Sequence, residues 1–161
     1  MYKRQGADLG LVDFGYRALD SLRLEKAYRL WGADMSADYT PLEAGLERFV
    51  AFDKGEFIGR DALLRKRDEG GPHIHLSCLV VDADEADAHA YEPIYAAGEL
   101  VSYVMAGGCG HTVGQSIALA YLPTEHAHDG AELGVEILGE RRTARVVSQP
   151  LYDPAGERLR S

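Results

Sequence analysis

Apolar and polar side chains alternate in the segment that follows residue 72, which is the pattern of a half-buried β-strand. In residues 73–81 the apolar positions of this alternation are Ile74, Leu76, Cys78 and Val80. Because successive side chains of a strand point to opposite faces, these four share one face. We expect that face to line the interior of a β-structure.

Two further pairs of apolar segments are separated by short turns that contain glycine. Residues 94–95 and 100–104 flank the first turn, and residues 134–138 and 143–147 flank the second. Glycine takes the positive φ that such turns require without a steric penalty. Closely spaced strands joined in this way predict a small antiparallel barrel or sandwich.

The pattern before residue 68 is helical. Residues 16–30 contain no Gly or Pro, and their apolar side chains lie nearly all round the helical wheel. Such a helix packs on several sides, and the residues before position 68 offer it no complete partner. We therefore expect an apolar surface without a partner around this helix, at Leu24, Tyr28, Leu30 and Trp31.

Residues 68–72 read Asp-Glu-Gly-Gly-Pro and predict a boundary between two parts of the chain. Before this boundary, residues 59–66 predict a short helix and residues 49–52 a short strand. A helical part followed by an antiparallel one predicts the α+β class.

The charge balance makes a nucleic-acid partner unfavourable. The 161 residues contain 17 Lys and Arg against 26 Asp and Glu, a formal net charge of −9. The acid is concentrated in residues 82–87, which we interpret as a solvated loop. An anionic ligand could bind only at a local basic site, because the average field repels it.

Cys78 and Cys109 lie in apolar or glycine-rich surroundings without the spacing of a metal site. A reduced setting fits them best, although the sequence leaves a disulfide open. The sequence shows neither a charged leader before an apolar run nor a segment long enough to span a bilayer. We expect a cytoplasmic protein without a membrane partner.

Three groups of residues invite a chemical interpretation that we do not adopt. The glycine-rich residues 107–114 fit neither nucleotide-binding spacing, so we expect a tight bend between strands. His126 and His128 could bind a metal, but two histidines in a polar loop are more often solvated. Cys109 and His111 could form a nucleophile and base, yet no third group that orients them can be named. We assign no metal site and no catalytic residue within the chain.

Four short blocks occur in a specific order between residues 22 and 60. They are Leu-Arg-Leu-Glu-Lys at 22–26, Trp-Gly at 31–32, Thr-Pro-Leu-Glu-Ala-Gly at 40–45 and Phe-Ile-Gly-Arg at 57–60. Together they resemble the folate-binding domain of the glycine-cleavage T-protein (aminomethyltransferase) family. The resemblance implies the C-terminal part of that domain over residues 1–70 and a small antiparallel β-barrel over residues 73–155.

The resemblance also implies an activity and its small molecules. Enzymes of this family transfer a one-carbon unit from an amine to tetrahydrofolate. Leu19 stands where the family commonly has an arginine, and Arg48 falls near a position that is often aromatic. In these departures the chain resembles dimethylglycine and sarcosine dehydrogenases more than the free T-protein. In those enzymes an upstream flavin domain oxidises an N-methyl amine. FAD would then bind only in that upstream domain. The alternatives are a fragment of a stand-alone aminomethyltransferase and a non-catalytic folate-binding or packing module.

The resemblance implies that the catalytic carboxylate of the family lies upstream of residue 1, so we expect the missing upstream half of the polypeptide as a partner. Within the chain we expect Arg23, Trp31, Glu43 and Arg48 to bind folate. Each of the first three has a structural alternative: an ion pair for Arg23, a core position for Trp31 and a cap for Glu43. Alone, the chain should be inactive and bind tetrahydrofolate weakly.

Overall fold

Residues 2–68 form short helices that are joined by turns. The computed structural model describes residues 2–148 and 150–160. The helices are α1 (Tyr2–Gly6), α2 (Tyr16–Glu25) and α3 (Arg60–Asp68), with single 3-10 turns at Ala7–Leu9 and Glu47–Phe49. Among the described residues, no helix is long and apolar enough to cross a membrane.

Six strands follow, and they close into an antiparallel barrel. They are β1 (Ile74–Val81), β2 (Pro93–Ala96), β3 (Glu99–Gly110), β4 (Gln115–Pro123), β5 (Glu132–Ile137) and β6 (Glu140–Val147), with a 3-10 turn at Thr124–His126. Their order around the barrel is β1-β4-β3-β2-β5-β6, and β6 pairs with β1 to complete it. The predicted α+β class with a small antiparallel barrel is confirmed.

The face of β1 that lines the barrel is the opposite of the predicted one. Leu79 and Val81 belong to the interior cluster, whereas Leu76 and Cys78 belong to a second cluster outside the barrel, which also contains Leu24 of α2. Ile74 packs on the same outer cluster, and Val80 is half-buried. The prediction was wrong because both faces of the strand are apolar where it ends, so alternation alone does not select the inner one.

Helix α2 ends five residues earlier than predicted. Lys26 is its C-cap, and Ala27 adopts a φ of 50°, which a helix does not continue through. Leu24 is 1% exposed, because the outer wall of the barrel covers it. The expected absence of a partner is therefore wrong for Leu24. It is confirmed for Trp31, which is 68% exposed, and for Tyr28, which is 46% exposed.

The strand predicted at residues 49–52 does not form. Its first residue lies in the 3-10 turn Glu47–Phe49, residues 50 and 51 are irregular, and residue 52 begins a turn. The ring of Phe52 lies 5.1 Å from the guanidinium of Arg67 on α3, so it packs locally rather than in a ladder. The predicted helix before the boundary is confirmed as α3, which begins after Gly59 at a φ of 91°.

Candidate functional site

A buried ion pair holds Arg23 at the end of α2. Its Nε donates to Asp20 Oδ1 at 2.7 Å, and its Nη1 contacts Asp34 Oδ2. Asp34 is fully buried and also accepts a hydrogen bond from the backbone N–H of Leu30 at 2.8 Å. Arg23 therefore fixes the turn that follows α2. Within the described part of the chain its Nη2 has no hydrogen-bond partner.

Trp31 projects from this turn instead of packing in the core. A bridge between Trp31 and Met35 closes the turn, and the indole is more than half exposed. Because the turn is anchored through Asp34, the exposed indole is presented on a fixed backbone. Arg23 and Trp31 thus belong to one local unit, in which Trp31 presents an exposed ring and Arg23 keeps one donor without a partner among the described residues.

Glu43 forms a capping box with Thr40. Its Oε2 accepts from the backbone N–H of Thr40 at 2.7 Å and from the hydroxyl of Thr40 at 2.8 Å. Its Oε1 accepts from Lys66 on α3 at 2.5 Å. Burial alone would raise the pKa of this carboxyl, but the bonds from Lys66 and Thr40 outweigh it and lower the pKa. Glu43 thus has the capping role that was its structural alternative. Its Oε1 can still accept one more hydrogen bond besides that from Lys66.

Arg48 lines a groove between the barrel and the segments that flank it. Its guanidinium lies 4.7 Å from the ring centre of Phe49. Arg29 lines the same groove. Sequence reasoning missed Arg29, although the expectation that an anion needs a local basic site pointed to such a cluster. Among the described lining residues, Arg48 is the one that we predicted as a folate ligand.

Helix α2 also binds the turn after β3. The glycine-rich residues 107–114 form the end of β3 and this turn. The buried Glu25 accepts the backbone N–H groups of Thr112 at 2.5 Å and Val113 at 3.2 Å. A Cβ at Gly110 would lie 3.0 Å from the Cγ of Glu25 and 2.7 Å from the Cδ1 of Ile117. The first four of these residues belong to β3, so the predicted bend is confined to the last four.

Neither cysteine is activated for nucleophilic chemistry. Both thiols are free, and burial raises the pKa of Cys78 to about 11. Burial also raises the pKa of Cys109, and the charges of Asp87 and Glu25 raise it further. A protonated thiol is a poor nucleophile, which argues against a role for Cys109 and His111 as nucleophile and base.

Comparison with known families matches both parts of the chain in order. Residues 3–54 match the model described as the GCVT N-terminal domain. Residues 75–153 match the model described as the glycine cleavage T-protein C-terminal barrel domain. The boundary between the two matches falls where helices give way to strands.

Known relatives and a solved structure agree with these matches. Mitochondrial dimethylglycine dehydrogenase of Mus musculus is 40% identical over 157 residues, which is 96% of this chain and 18% of that protein. An aminomethyltransferase of Moorella thermoacetica is 41% identical over 147 residues, 91% of this chain and 40% of that protein. The glycine cleavage system aminomethyltransferase T of Bartonella henselae superposes with a TM-score of 0.86 at 27% identity, over 95% of this chain and 43% of that one. The chain thus spans less than half of each relative, and it belongs to the glycine-cleavage T-protein family.

Proposed function

We propose that this chain is the C-terminal part of an enzyme that transfers a one-carbon unit from an N-methyl amine to tetrahydrofolate, giving methylenetetrahydrofolate. The observation that supports this most directly is the match of both family domains, in order, to one chain whose α2 packs on the barrel. The names of the relatives, dimethylglycine dehydrogenase and aminomethyltransferase, point to the same chemistry.

The residues present fit part of a folate site. A pterin ring stacks well on an aromatic side chain, and the exposed indole of Trp31 offers such a face. Arg23 would donate a hydrogen bond to the ligand through its Nη2. Glu43 would accept one from the ligand at Oε1, beside the hydrogen bond from Lys66. Arg48 would provide a cation for the carboxylate end of the ligand. When bound, tetrahydrofolate supplies the nitrogens that receive the one-carbon unit.

The task of these residues is positioning and electrostatic stabilisation, which requires no covalent protein intermediate. Trp31 and Glu43 would orient the ring, and the cations would hold its acidic end. We propose that the catalytic carboxylate is supplied by a segment upstream of residue 1, together with the other wall of the pocket. The upstream half of its own polypeptide is then the chain's main partner.

We favour a parent enzyme of the dimethylglycine or sarcosine dehydrogenase type, with FAD bound in an upstream domain. Leu19 and Arg48, which depart from the T-protein pattern, support this choice. A stand-alone aminomethyltransferase is the second candidate, supported by the 41% identity to the Moorella thermoacetica protein. The coding sequence upstream of residue 1 separates them, because a flavin-binding G-x-G-x-x-G motif far upstream belongs to the dehydrogenase alone.

An activity assay on the longer protein tests the proposal. Dimethylglycine or sarcosine is supplied with and without tetrahydrofolate, and both methylenetetrahydrofolate and free formaldehyde are measured. We expect tetrahydrofolate to divert the released carbon from formaldehyde into methylenetetrahydrofolate. Formaldehyde release that tetrahydrofolate leaves unchanged would contradict the folate role.

Two further expectations stay proposals. We place the division between the parts of the chain at residues 70–73, supported by the change from helix to strand there. We also propose the cytoplasm as the compartment, supported by the unpaired Cys78 and Cys109.

A further inference from the structure

A groove of about 760 Å³ lies between the barrel and the segments that flank it. Its walls come from residues 26–29 after α2, residues 75–78 of β1, residues 146–148 at the end of β6, and the C-terminal segment 150–160. Small-molecule sites in proteins usually measure roughly 300–1,000 Å³. The groove is therefore large enough for a small molecule.

The charged groups that line this groove are basic. They are Lys26, Arg29, Arg48 and Arg160, with His75 and His128 beside them. Among the described residues that line the groove, none is Asp or Glu, although acidic residues outnumber basic ones by 26 to 17 in the whole chain. The groove is thus a local basic site on a protein whose average field repels anions.

Two of these cations differ in how their charge is balanced. Lys26 donates to the Asp153 carbonyl at 2.6 Å and to its carboxylate at 3.2 Å, so its charge has a partner. Arg29 donates through Nε to the carbonyl of Ala44 at 3.0 Å and through Nη1 to that of Ala27 at 2.7 Å. These carbonyls orient the guanidinium but carry no net charge. Arg29 forms no ion pair within residues 2–148 and 150–160.

Arg48 places a second positive charge near Arg29. Its contact with the exposed ring of Phe49 is weak, and no carboxylate of the described residues pairs with it. Burial lowers the pKa of Arg29, and the charge of Arg48 lowers it further. The charge of Asp34 raises the pKa of Arg29 only as a smaller effect. Since neither guanidinium forms an ion pair among the described residues, an oxyanion between them would relieve their repulsion through charge-assisted hydrogen bonds.

We propose that this groove binds the oxyanion of a small molecule, a carboxylate or a phosphate, between the guanidinium groups of Arg29 and Arg48. The proposal does not rest on the folate function, since the arrangement of charges requires only an anion. Arg48 appears in both proposals, so the test uses anions that contain no pterin. Binding of such anions and binding of tetrahydrofolate can then fail independently.

Calorimetric titration of the 161-residue chain with citrate and with inorganic phosphate, at constant ionic strength, tests the proposal. Citrate represents polycarboxylates, and phosphate represents phosphorylated metabolites. We expect at least one of them to bind at millimolar concentration or below, and Arg48→Gln to weaken that binding about tenfold, which is the usual effect of losing a charge-assisted hydrogen bond. Arg29→Gln should weaken binding by at least as much.

The matched control is Arg65→Gln, which removes the same charge from an exposed position on α3 outside the groove. Its binding constant should stay within about twofold of the unmodified chain. Arg29→Gln also loses two hydrogen bonds to the backbone, so Arg48→Gln decides the matter if the Arg29 variant fails to fold. Absence of binding by both anions would overturn the proposal. Equal weakening by Arg65→Gln and Arg48→Gln would overturn it as well, because it would show a non-specific charge effect.

Discussion

At the scale of single residues, the buried charges of this chain are held by specific partners. The sequence predicts that Arg23 and Glu25 need partners, because both interrupt an apolar helix. It does not reveal which ones. Asp34 reaches Arg23 from a turn outside the helix, and Glu25 binds backbone N–H groups 87 and 88 residues away. The partners of Glu25 are so distant in sequence that they depend on the tertiary fold, which explains why the need for a partner was predictable and the contacts were not.

Glu43 gives the clearest prediction at this scale. Because its folded pKa is lowered, the ionised carboxylate stabilises the fold above its ordinary pKa of 4.5. That stability is lost as the pH falls below 4.5 and through the folded pKa. We expect Glu43→Gln to lower the free energy of unfolding by about 1–2 kcal/mol at pH 7, with the difference shrinking towards pH 3. Urea denaturation of both proteins at several pH values measures this difference in the free energy of unfolding.

The control for Glu43 is Glu56→Gln. Glu56 is 82% exposed and pairs with Arg60 at 3.6 Å, so its removal should change the free energy of unfolding little at any of these pH values. If the deficit of Glu43→Gln were the same at pH 3 as at pH 7, ionisation of Glu43 would not be its source.

At the scale of elements, the helix α2 and the outer wall of the barrel depend on each other. The alternation of apolar residues was enough to predict β1, its hairpin neighbours and a barrel. It was not enough to predict which face points inwards, because the outer face of β1 is also apolar and belongs to a second cluster that includes Leu24 of α2. The end of α2 was missed for a related reason, since Ala27 has good helix propensity but adopts a positive φ in this context.

The packing of α2 on the outer wall of the barrel predicts unequal effects for two leucines on one helix. Leu24→Ala should lower the free energy of unfolding by about 2–5 kcal/mol, because it leaves a cavity against the barrel wall. Leu22→Ala is the control, since Leu22 is 53% exposed and its truncation should cost far less. Denaturation with urea compares the two. Equal losses would mean that α2 does not pack on the barrel through Leu24.

Close packing at the end of β3 gives a second prediction for the elements. Gly110→Ala would place a Cβ against Ile117 and Glu25, and we expect it to destabilise the fold by about 1–3 kcal/mol. Gly15→Ala is the matched control. Gly15 has a φ of −80°, and a Cβ added there would meet no atom within 4 Å, so alanine fits without strain. Melting temperatures of both variants test this, and a neutral Gly110→Ala would contradict this close packing.

At the scale of the whole molecule, the family and the barrel were predictable because several motifs occur in order along the chain. The candidate site was less predictable. Glu43 and Arg23 turned out to be engaged with neighbours, Trp31 is exposed, and Arg48 lies in a groove with the unpredicted Arg29. Which groups remain free for a ligand depends on contacts between distant segments, and a linear pattern does not encode those contacts directly.

The central claim is that these residues form one wall of a tetrahydrofolate pocket that an upstream segment completes. Calorimetric titration of tetrahydrofolate into the 161-residue chain and into the longer protein tests it most directly. Because a ligand that is buried on one side gains little affinity, we expect weak or unmeasurable binding by the chain and clear binding by the longer protein. Binding to the isolated chain as tight as binding to the longer protein would contradict the claim.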